Sequence, residues 1–378
     1  MRELTDSEMR WVLDSLEKIA EKMVAVTERN RGIIPYTTVD GHFDDKSKAD
    51  ICWWTNGFWG GIMWQLYKLT GNAMFREEAI GVEEKLDANL MMTEGLDHDN
   101  GFKWLPTSVC RYKIEKNKES YNRAMLAADN MAGRYNITGK FIRAWNNWDN
   151  VDRRGYAIID CMMNLPLLYW ASEVTTDPRY RMIAVSHADT AIEHFIREDG
   201  SVNHIVIFDP YTGEKLETPA GQGYAAGSSW TRGQSWGIYG FTLSYLYTGV
   251  TKYLTAAEKI ADYVISEIPE SYLIPIDYKQ PKKPDLEDST AAAITACGLI
   301  ELAKATHSDK ADKYLDTAIK LLKTLAEKRS DLTKEKDNIL ENCAVDYHGE
   351  GHNMSIIYGD YFFIEALMKL DNKALKIF

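Results

Sequence analysis

The apolar residues of the chain recur in pairs of segments. In four places an apolar segment ends at a threonine-containing turn, and a second segment follows in which apolar residues recur every three or four positions between charges. A segment that is apolar nearly all round is typical of a buried helix, and the three-to-four spacing is typical of an outer helix. The turns at the junctions are TGN, TTDP, TGVT and THSD. The pattern therefore predicts inner and outer helices in alternation.

Extended along the chain, this pattern predicts about twelve helices. Thr5 and Glu8 have the spacing of a capping box at the start of the first helix. The predicted helices span residues 6–29, 56–70, 73–92, 103–115, 119–134, 157–174, 177–197, 233–249, 251–268, 289–306, 310–328 and 357–370. Six inner and six outer helices predict an all-α fold, an (α/α)6 barrel, formed by residues 1–378 as a single domain. An open superhelix of helical pairs is the structural alternative.

Three long connections argue against the open superhelix. They span residues 30–52, 198–230 and 269–288, and each precedes a predicted inner helix. Long loops at one end of a barrel are where a functional site is commonly built. The stretches FIRAW, SVNHIVIF and SYLIPIDY predict short strands that decorate this rim.

Composition and charge narrow the classes of partner and compartment. The net charge of −12, without a basic run, argues against nucleic acid or an anionic membrane as partner. The N-terminus is charged, and no run of eighteen apolar residues predicts a membrane span. The five cysteines are widely spaced without a CxxC motif, so we expect reduced thiols in a cytoplasmic protein. The eleven tryptophans and twenty-one tyrosines either fill the core or line a site for flat ligands or sugar rings.

One carboxylate lies within an apolar stretch. Asp160 is surrounded in sequence by isoleucine, methionine and leucine in GYAIIDCMMNLPLLYW. It is either a helix N-cap, a paired charge, or an acid that keeps its proton. Apolar surroundings favour the neutral carboxyl group, which can then act as a general acid near neutral pH. Asn164 lies one helical turn further on and would share the face of Asp160, and Pro166 is expected to bend or reset the helix.

Two more groups of residues stand at the starts of predicted inner helices. The adjacent Trp53 and Trp54 must point in different directions, so one can face a cavity, although core packing explains them equally well. In LDHDNGF, a turn explains the composition, but Asp97 or Asp99 can also be a functional carboxylate. A metal site needs further ligands at suitable spacing, and the sequence does not supply them.

The last group is SSWTRGQSW, with His204 and Gln222 in the loop before it. Arg232, flanked by Trp230 and Trp236, can clamp a carboxylate in a low-dielectric pocket, or it is a surface arginine stacked on an indole. Together the groups describe an aromatic-walled pocket with two aspartates, which favours glycoside chemistry.

At these residues the chain resembles the unsaturated glucuronyl hydrolase family. The resemblance is carried, in order, by WTNGFWGGIMW, LDHDNGF, RAW, IIDCMMNLPLLYWA, FDPYTGE, SSWTRGQSWGIYGF, EDSTAAAITACGL and YGDYFFIEAL. It implies a cytoplasmic (α/α)6-barrel hydrolase without a metal or organic cofactor. The implied substrates are oligosaccharides left by polysaccharide lyases, derived from glycosaminoglycans or bacterial gums, which carry a 4,5-unsaturated uronic acid at the non-reducing end.

The resemblance also assigns roles to residues. It makes Asp160 the general acid/base of a vinyl-ether hydration. Asp99 becomes the second catalytic aspartate, although LDHDNGF is one residue shorter than the family pattern, which keeps Asp97 as an alternative. As an anion, Asp99 would raise the pKa of Asp160. The implied substrate-binding residues are Trp54, Trp145, His204, Gln222, Trp230, Arg232, Trp236 and Ser355.

Several alternatives stay open at this point. An unsaturated rhamnogalacturonyl hydrolase would share the barrel and the chemistry, and an epimerase or ordinary glycosidase would share the barrel alone. A non-catalytic helical scaffold for a partner protein is the remaining class. Asp346–Tyr358 contains no lysine or arginine, so the sequence does not rank sulfated against unsulfated substrates. It leaves open whether the protein is a monomer or a homodimer.

Overall fold

The computed structural model describes residues 1–307 and 309–378. Their α-helices are α1 Asp6–Arg29, α2 Lys46–Ala49, α3 Phe58–Thr70, α4 Ala73–Lys85, α5 Asp87–Leu90, α6 Asn100–Trp104, α7 Cys110–Glu115, α8 Lys118–Gly133, α9 Cys161–Thr175, α10 Pro178–Phe195, α11 Thr231–Thr248, α12 Thr251–Glu267, α13 Ser289–Ala305, α14 Ala311–Lys328 and α15 Ile357–Leu370. Trp54–Gly57 and Thr93–Gly95 are 3-10 turns, and Leu105–Val109 is a π-helical segment that joins α6 to α7.

The strands are short. They are β1 Thr38–Val39, β2 His42–Phe43, β3 Tyr135–Asn136, β4 Phe141–Ile142, β5 Tyr156–Ile158, β6 Ile205–Phe208 and β7 Lys215–Glu217. β5, β6 and β7 form an antiparallel sheet in that order, in which Ile158 is paired with Ile205.

The inner helices close into a ring. In chain order, α3, the α6–α7 segment, α9, α11, α13 and α15 each pack against the next, and α15 packs against α3. Outside them, α4, α8, α10, α12 and α14 cover the inner helices they adjoin, and α1 covers α15. This arrangement confirms the (α/α)6 barrel and excludes the open superhelix.

The sequence pattern explains which helices lie inside. In α13 nearly every residue is buried, because small and apolar side chains surround the helix on all sides. In α14 the buried residues recur at three-to-four spacing, with charged side chains on the opposite face. The capping box of α1 is also present: the backbone N–H of Thr5 donates to the Glu8 carboxylate at 2.8 Å, and Glu8 N–H donates to Thr5 Oγ1 at 3.3 Å.

Several predicted boundaries are wrong for local reasons. Helix 157–174 begins only at Cys161, because Tyr156–Ile158 pair as β5 with β6. Pro166 lies inside α9 and does not end it. Helix 103–115 begins at Asn100 and passes through the π-helical segment, which contains Pro106. Helix 73–92 is divided at Leu86. Within the described residues SYLIPIDY forms only isolated bridges, whereas FIRAW and SVNHIVIF contain β4 and β6.

Aromatic side chains fill the centre of the ring. Phe58 of α3, Phe102 of α6, Trp236 of α11 and Phe362 of α15 contact one another at centroid distances of 5.2 to 5.7 Å. Edge-on and tilted contacts of this kind add to the stabilisation from burial alone. The cluster couples four inner helices just below the residues considered next.

Two further features concern the cysteines and the hydrophobicity of the helices. The five cysteines hold free thiols, four of them buried. Within the described part of the chain, no helix combines the length and the hydrophobicity that crossing a membrane requires.

We expect Gly240→Ala to destabilise the barrel, because Gly240 allows α11 to lie against α9. A Cβ atom at this position would be 2.4 Å from Cβ of Met162. Overpacking of this kind costs about 1–3 kcal/mol. The matched control is Gly81→Ala in α4, where a Cβ meets nothing within 4 Å. This control substitution should raise stability by about 0.5–1 kcal/mol. Denaturant unfolding measures both, and a Gly240→Ala variant as stable as wild type contradicts the close contact.

Candidate active site

The predicted site residues gather at one end of the barrel, where inner helices begin. Trp54 precedes α3, Asp99 immediately precedes α6, and Asp160 links β5 to α9. Trp230 and Arg232 stand at the start of α11. Ring contacts join these helix starts: Trp54 lies 5.4 Å from Phe102 and 5.0 Å from Tyr358, centroid to centroid.

Asp160 occupies the N-cap position of α9, but its side chain caps nothing. Its Oδ1 is buried and has no hydrogen-bond partner among the described residues. The nearest cationic candidate is His204, whose Nε2 lies 3.8 Å from Oδ1. Of the three interpretations open from the sequence, the cap is therefore wrong.

His204 does not neutralise Asp160 either. Its Nδ1 accepts a hydrogen bond from the backbone N–H of Gln222 at 3.0 Å, which leaves the ring proton on Nε2, the atom nearest Asp160. Burial and the positive charge of Arg232 lower the pKa of His204 to about 3, so the imidazole is neutral at physiological pH. Gly221, at φ +61°, permits this contact, because a Cβ there would meet His204 Nδ1.

Burial raises the pKa of Asp160 to about 7. The positive charge of Arg232 and the indole of Trp236, which lies close by but outside hydrogen-bonding geometry, favour the ionised form. The cost of burying a carboxylate outweighs both. Asp160 is therefore an acid that carries its proton up to neutral pH.

Asn164 joins the two aspartate segments. Its fully buried amide Nδ2 lies 3.2 Å from Asp99 Oδ1 and 3.2 Å from the backbone oxygen of Asp160. Its Oδ1 accepts from the backbone N–H of Phe102 at 2.7 Å. Gly101 makes room for this amide, since a Cβ there would lie 2.5 Å from Cα of Asn164. Asn164, on the face predicted to be shared with Asp160, thus holds Asp99.

Asp99 is the buried aspartate of LDHDNGF. Burial, together with the negative charges of Asp97 and Asp160, raises the pKa of Asp99 well above its ordinary range. Asp97 instead turns back to accept from the backbone N–H of Asp99 at 2.9 Å. Burial raises the pKa of Asp160, and repulsion between the two carboxylates contributes to the raised pKa of Asp99.

Arg232 is neither on the surface nor free to clamp a ligand with its whole guanidinium group. It is 2% exposed. Its Nη1 donates to Asp288 Oδ2 at 2.6 Å and to the Ala344 carbonyl at 2.7 Å, and Nη2 donates to the Val345 carbonyl at 2.5 Å. The guanidinium carbon lies 4.5 Å from the centroid of Trp230. Three of its five N–H groups are therefore committed to the protein.

The other predicted binding residues surround this centre. The Trp230 ring contacts the His204 ring at 4.2 Å in a tilted arrangement, and Trp236 is fully buried beside Phe102. Trp53 points away, towards Lys46 at 4.1 Å, so the two adjacent indoles do diverge as predicted. Trp145 is half-buried against Tyr156 at 6.1 Å.

Gln222 and Ser355 connect loops. The side chain of Gln222 donates to the Val345 carbonyl at 2.6 Å. The Ser355 hydroxyl pairs with Thr38 Oγ1 at 2.7 Å, so a ligand would have to share it.

Unpartnered polar atoms converge beside Asp160. Besides Asp160 Oδ1, the buried Nε2 of His204 and Nε1 of Trp230 and of Trp236 have no hydrogen-bond partner among the described residues. Buried polar atoms are nearly always satisfied in folded proteins. These four atoms are therefore candidates for hydrogen bonds to a polar ligand.

The described residues contain no group of three or more histidine, cysteine, aspartate or glutamate side chains arranged to hold a metal ion.

Sequence reasoning missed Asp288, which holds Arg232 in place. As the N-cap of α13, Asp288 accepts from the backbone N–H of Thr290 at 3.0 Å with Oδ1 and from Arg232 with Oδ2. The sequence EDSTAAAITACGL carries the cap signal. The pairing with Arg232, 56 residues away, has no local signal.

Comparison with known proteins gives consistent results, although no family model matches the chain. The chain is 36% identical, over 326 residues, to the unsaturated glucuronyl hydrolase of Bacillus sp. (strain GL1), covering 84% of this chain and 86% of that protein. It is 33% identical, over 329 residues, to the unsaturated chondroitin disaccharide hydrolase of Streptococcus pyogenes serotype M1, covering 84% and 80%. The crystal structure of the unsaturated glucuronyl hydrolase of Bacillus sp. GL1, described as responsible for the degradation of glycosaminoglycan, superposes with a TM-score of 0.88 at 31% identity, covering 96% of this chain and 97% of that chain.

The raised pKa of Asp160 predicts that Asp160→Asn stabilises the protein in a pH-dependent way. Between pH 3.8 and about 7 the unfolded carboxyl group loses its proton while the folded one keeps it. The unfolded state then binds fewer protons, so stability falls as pH rises, by at most about 4 kcal/mol at 1.36 kcal/mol per pKa unit. Asparagine cannot ionise, so the Asp160→Asn variant does not lose this stability as the pH rises.

Urea unfolding at pH 4 and pH 8 measures the effect. The stabilisation by Asp160→Asn should be small at pH 4 and grow to a few kcal/mol at pH 8. The control Asp149→Asn, at an exposed position, should stay within about 0.5 kcal/mol of wild type at both. A difference between Asp160→Asn and wild type that does not change with pH contradicts the raised pKa.

Proposed function

Because the chain belongs to the unsaturated glucuronyl hydrolase family, and is therefore a glycoside hydrolase, we propose that it removes the 4,5-unsaturated uronic acid from the non-reducing end of lyase-derived oligosaccharides. The preferred substrates are unsaturated disaccharides from glycosaminoglycans, in keeping with the names of the relatives. Fragments of bacterial gums are the second candidate. The observation that carries the proposal is the largely buried, unpartnered carboxyl group of Asp160 among indole rings.

In the first step Asp160 donates its proton to C4 of the substrate. The C4=C5 double bond is part of a vinyl ether, so protonation at C4 leaves positive charge shared between C5 and the ring oxygen. A pKa of about 7 makes the carboxyl group both protonated and acidic enough at neutral pH. A positioned general acid contributes about 10²–10⁴ to the rate.

In the second step water adds to C5. The Asp160 carboxylate left by the first step accepts a proton from this water, and a hemiketal forms at C5. The bond between C5 and the ring oxygen then breaks to give a ketone at C5 and a hemiacetal at C1. The hemiacetal collapses to an aldehyde and releases the remaining sugar chain. One water molecule is consumed, and no electrons are exchanged with a cofactor.

Asp99 orients the sugar. Burial and neighbouring charges raise the pKa of Asp99 well above its ordinary range and so favour its protonated form, which can donate a hydrogen bond to a ring hydroxyl. Asn164 sets its position relative to Asp160. Orientation of the sugar fits the raised pKa of Asp99 better than stabilisation of positive charge by an anion does.

Arg232 acts mainly through its charge. With three N–H groups held by Asp288 and two carbonyls, it attracts the substrate carboxylate and lowers the pKa of Asp160. Trp230 and Trp54 supply walls for the sugar rings.

The raised pKa of both aspartates favours hydration over ordinary glycosidic cleavage. An ordinary glycosidase needs one of its two carboxylates ionised, as nucleophile or as base. Here burial keeps a proton on Asp160 up to about pH 7 and also raises the pKa of Asp99.

We also propose that the enzyme acts in the cytoplasm, where thiols stay reduced, and the free state of its five cysteines supports this. Its catalytic unit is the whole chain, residues 1–378 as one domain, because the closing helix α15 packs against α3. Small saccharides, rather than nucleic acid or a membrane, are its partners.

Loss of absorbance from the conjugated double bond tests the reaction. We expect wild type to bleach an unsaturated chondroitin disaccharide, and Asp160→Asn to lower kcat at least about 10²-fold. In D2O the product should carry deuterium at C4, because solvent exchanges with the Asp160 proton. Release of sugars with the absorbance unchanged would show ordinary cleavage instead.

The pH profile tests the effect of Arg232 on Asp160. Removing the positive charge should raise the pKa of Asp160, so the alkaline limb of kcat/KM should move to higher pH by about 0.5 unit or more. The variant is Arg232→Gln combined with Asp288→Asn, which leaves no buried charge unpaired. Arg232→Lys keeps the charge and should leave the limb in place. If the alkaline limb lies at the same pH in wild type, the double variant and Arg232→Lys, the charge of Arg232 does not lower the pKa of Asp160.

A further inference from the structure

A loop beside the candidate site carries an exposed tryptophan. We call residues 143–154, between β4 and β5, the rim loop. Its Trp148 is 46% exposed and lies 5.5 Å from the half-buried Trp145, centroid to centroid. The rim loop is tied to the catalytic centre, because the Ala144 carbonyl accepts from the backbone N–H of His98, next to Asp99, at 3.1 Å. Two indoles thus lie on a loop that is hydrogen-bonded to the residue before Asp99.

One arginine lies over this exposed indole, and a second contacts other residues of the rim loop. The guanidinium carbon of Arg153 lies 3.6 Å from the centroid of Trp148. Arg153 donates to the Trp148 and Val151 carbonyls, and Arg143 donates to the Trp145 carbonyl and to Asn147. Neither arginine forms an ion pair with a carboxylate of a described residue. An arginine held by neutral acceptors keeps its charge available for an anion.

The remaining charges of the rim loop do not cancel this excess. Arg154 is paired with Asp152 at 2.8 Å, and Asp149 is the other acidic residue of the loop. Three arginines against two aspartates leave the loop at +1, on a chain of net charge −12. A groove of about 630 Å³ runs along residues 147–152 and Arg154. This volume lies within the range of small-molecule sites, about 300–1,000 Å³, and is large enough for one sugar.

We propose that the rim loop is a subsite for the third sugar of a substrate chain, and that this sugar is a uronate. The inference rests on the proposed function. Glycosaminoglycan chains alternate uronate with amino sugar, so in an unsaturated tetrasaccharide the first and third sugars carry carboxylates. With the first sugar at Asp160 and the second beside Trp145, the third reaches Trp148. Its ring stacks on the indole, and Arg143 and Arg153 face its carboxylate.

Kinetics with two substrate lengths test the subsite. The substrates are the unsaturated chondroitin disaccharide and tetrasaccharide, both unsulfated. Their turnover is measured by the loss of absorbance. Trp148→Ala and Arg153→Gln should each raise KM for the tetrasaccharide about fivefold to tenfold and leave KM for the disaccharide within about twofold. The disaccharide serves as an internal test of folding, because it uses the same catalytic centre.

Arg179→Gln is the matched control. Arg179 lies over the ring of Tyr180 at 4.6 Å on the outer helix α10. Its substitution should leave KM unchanged for both substrates. Unchanged tetrasaccharide kinetics in both rim-loop variants, or an equal loss for both substrates, overturns the subsite while leaving the proposed function intact. A wild-type enzyme that bleaches neither substrate overturns the proposed function, and the subsite with it.

Discussion

The carboxyl group of Asp160 is largely removed from water, and no described residue hydrogen-bonds its Oδ1. A carboxylate in such surroundings is costly, so the group keeps its proton to about pH 7. The surrounding structure preserves this condition. His204 stays neutral beside it, and Asp288 holds Arg232 in an ion pair that limits its effect on the proton. The proposed chemistry depends on this single balance between burial and charge.

The architecture was predictable because the periodicity of apolar residues within each helix shows whether the helix is inner or outer. Buried helices such as α13 are apolar on all sides, whereas outer helices such as α14 have an apolar face and a charged face. The pairs can therefore be recognised without any knowledge of contacts. The errors fall where tertiary pairing overrides that pattern. Tyr156–Ile158 belongs to the same apolar run as α9, yet it forms β5 because it pairs with β6. The local sequence does not indicate this pairing.

The site was predictable in its location but not in its electrostatics. Motifs at inner-helix starts correctly placed Asp160, Trp230 and Arg232 near one another. The partners of Arg232 were not predictable, because Asp288 and Val345 lie 56 and 113 residues away in sequence. The function of Asn164 likewise depends on Asp99, 65 residues distant. Spacing along one helix shows which residues share a face, and it does not show what that face meets.

The most direct test of the account is the pKa of Asp160 in the folded enzyme. Carbon-13 NMR of protein labelled at the aspartate carboxyl carbons, with the resonance assigned by its absence in Asp160→Asn, follows this group through a pH titration. The account predicts a midpoint near pH 7. A midpoint near 4, the ordinary value for aspartate, would mean that the group is ionised at neutral pH and would contradict the proposed role as proton donor.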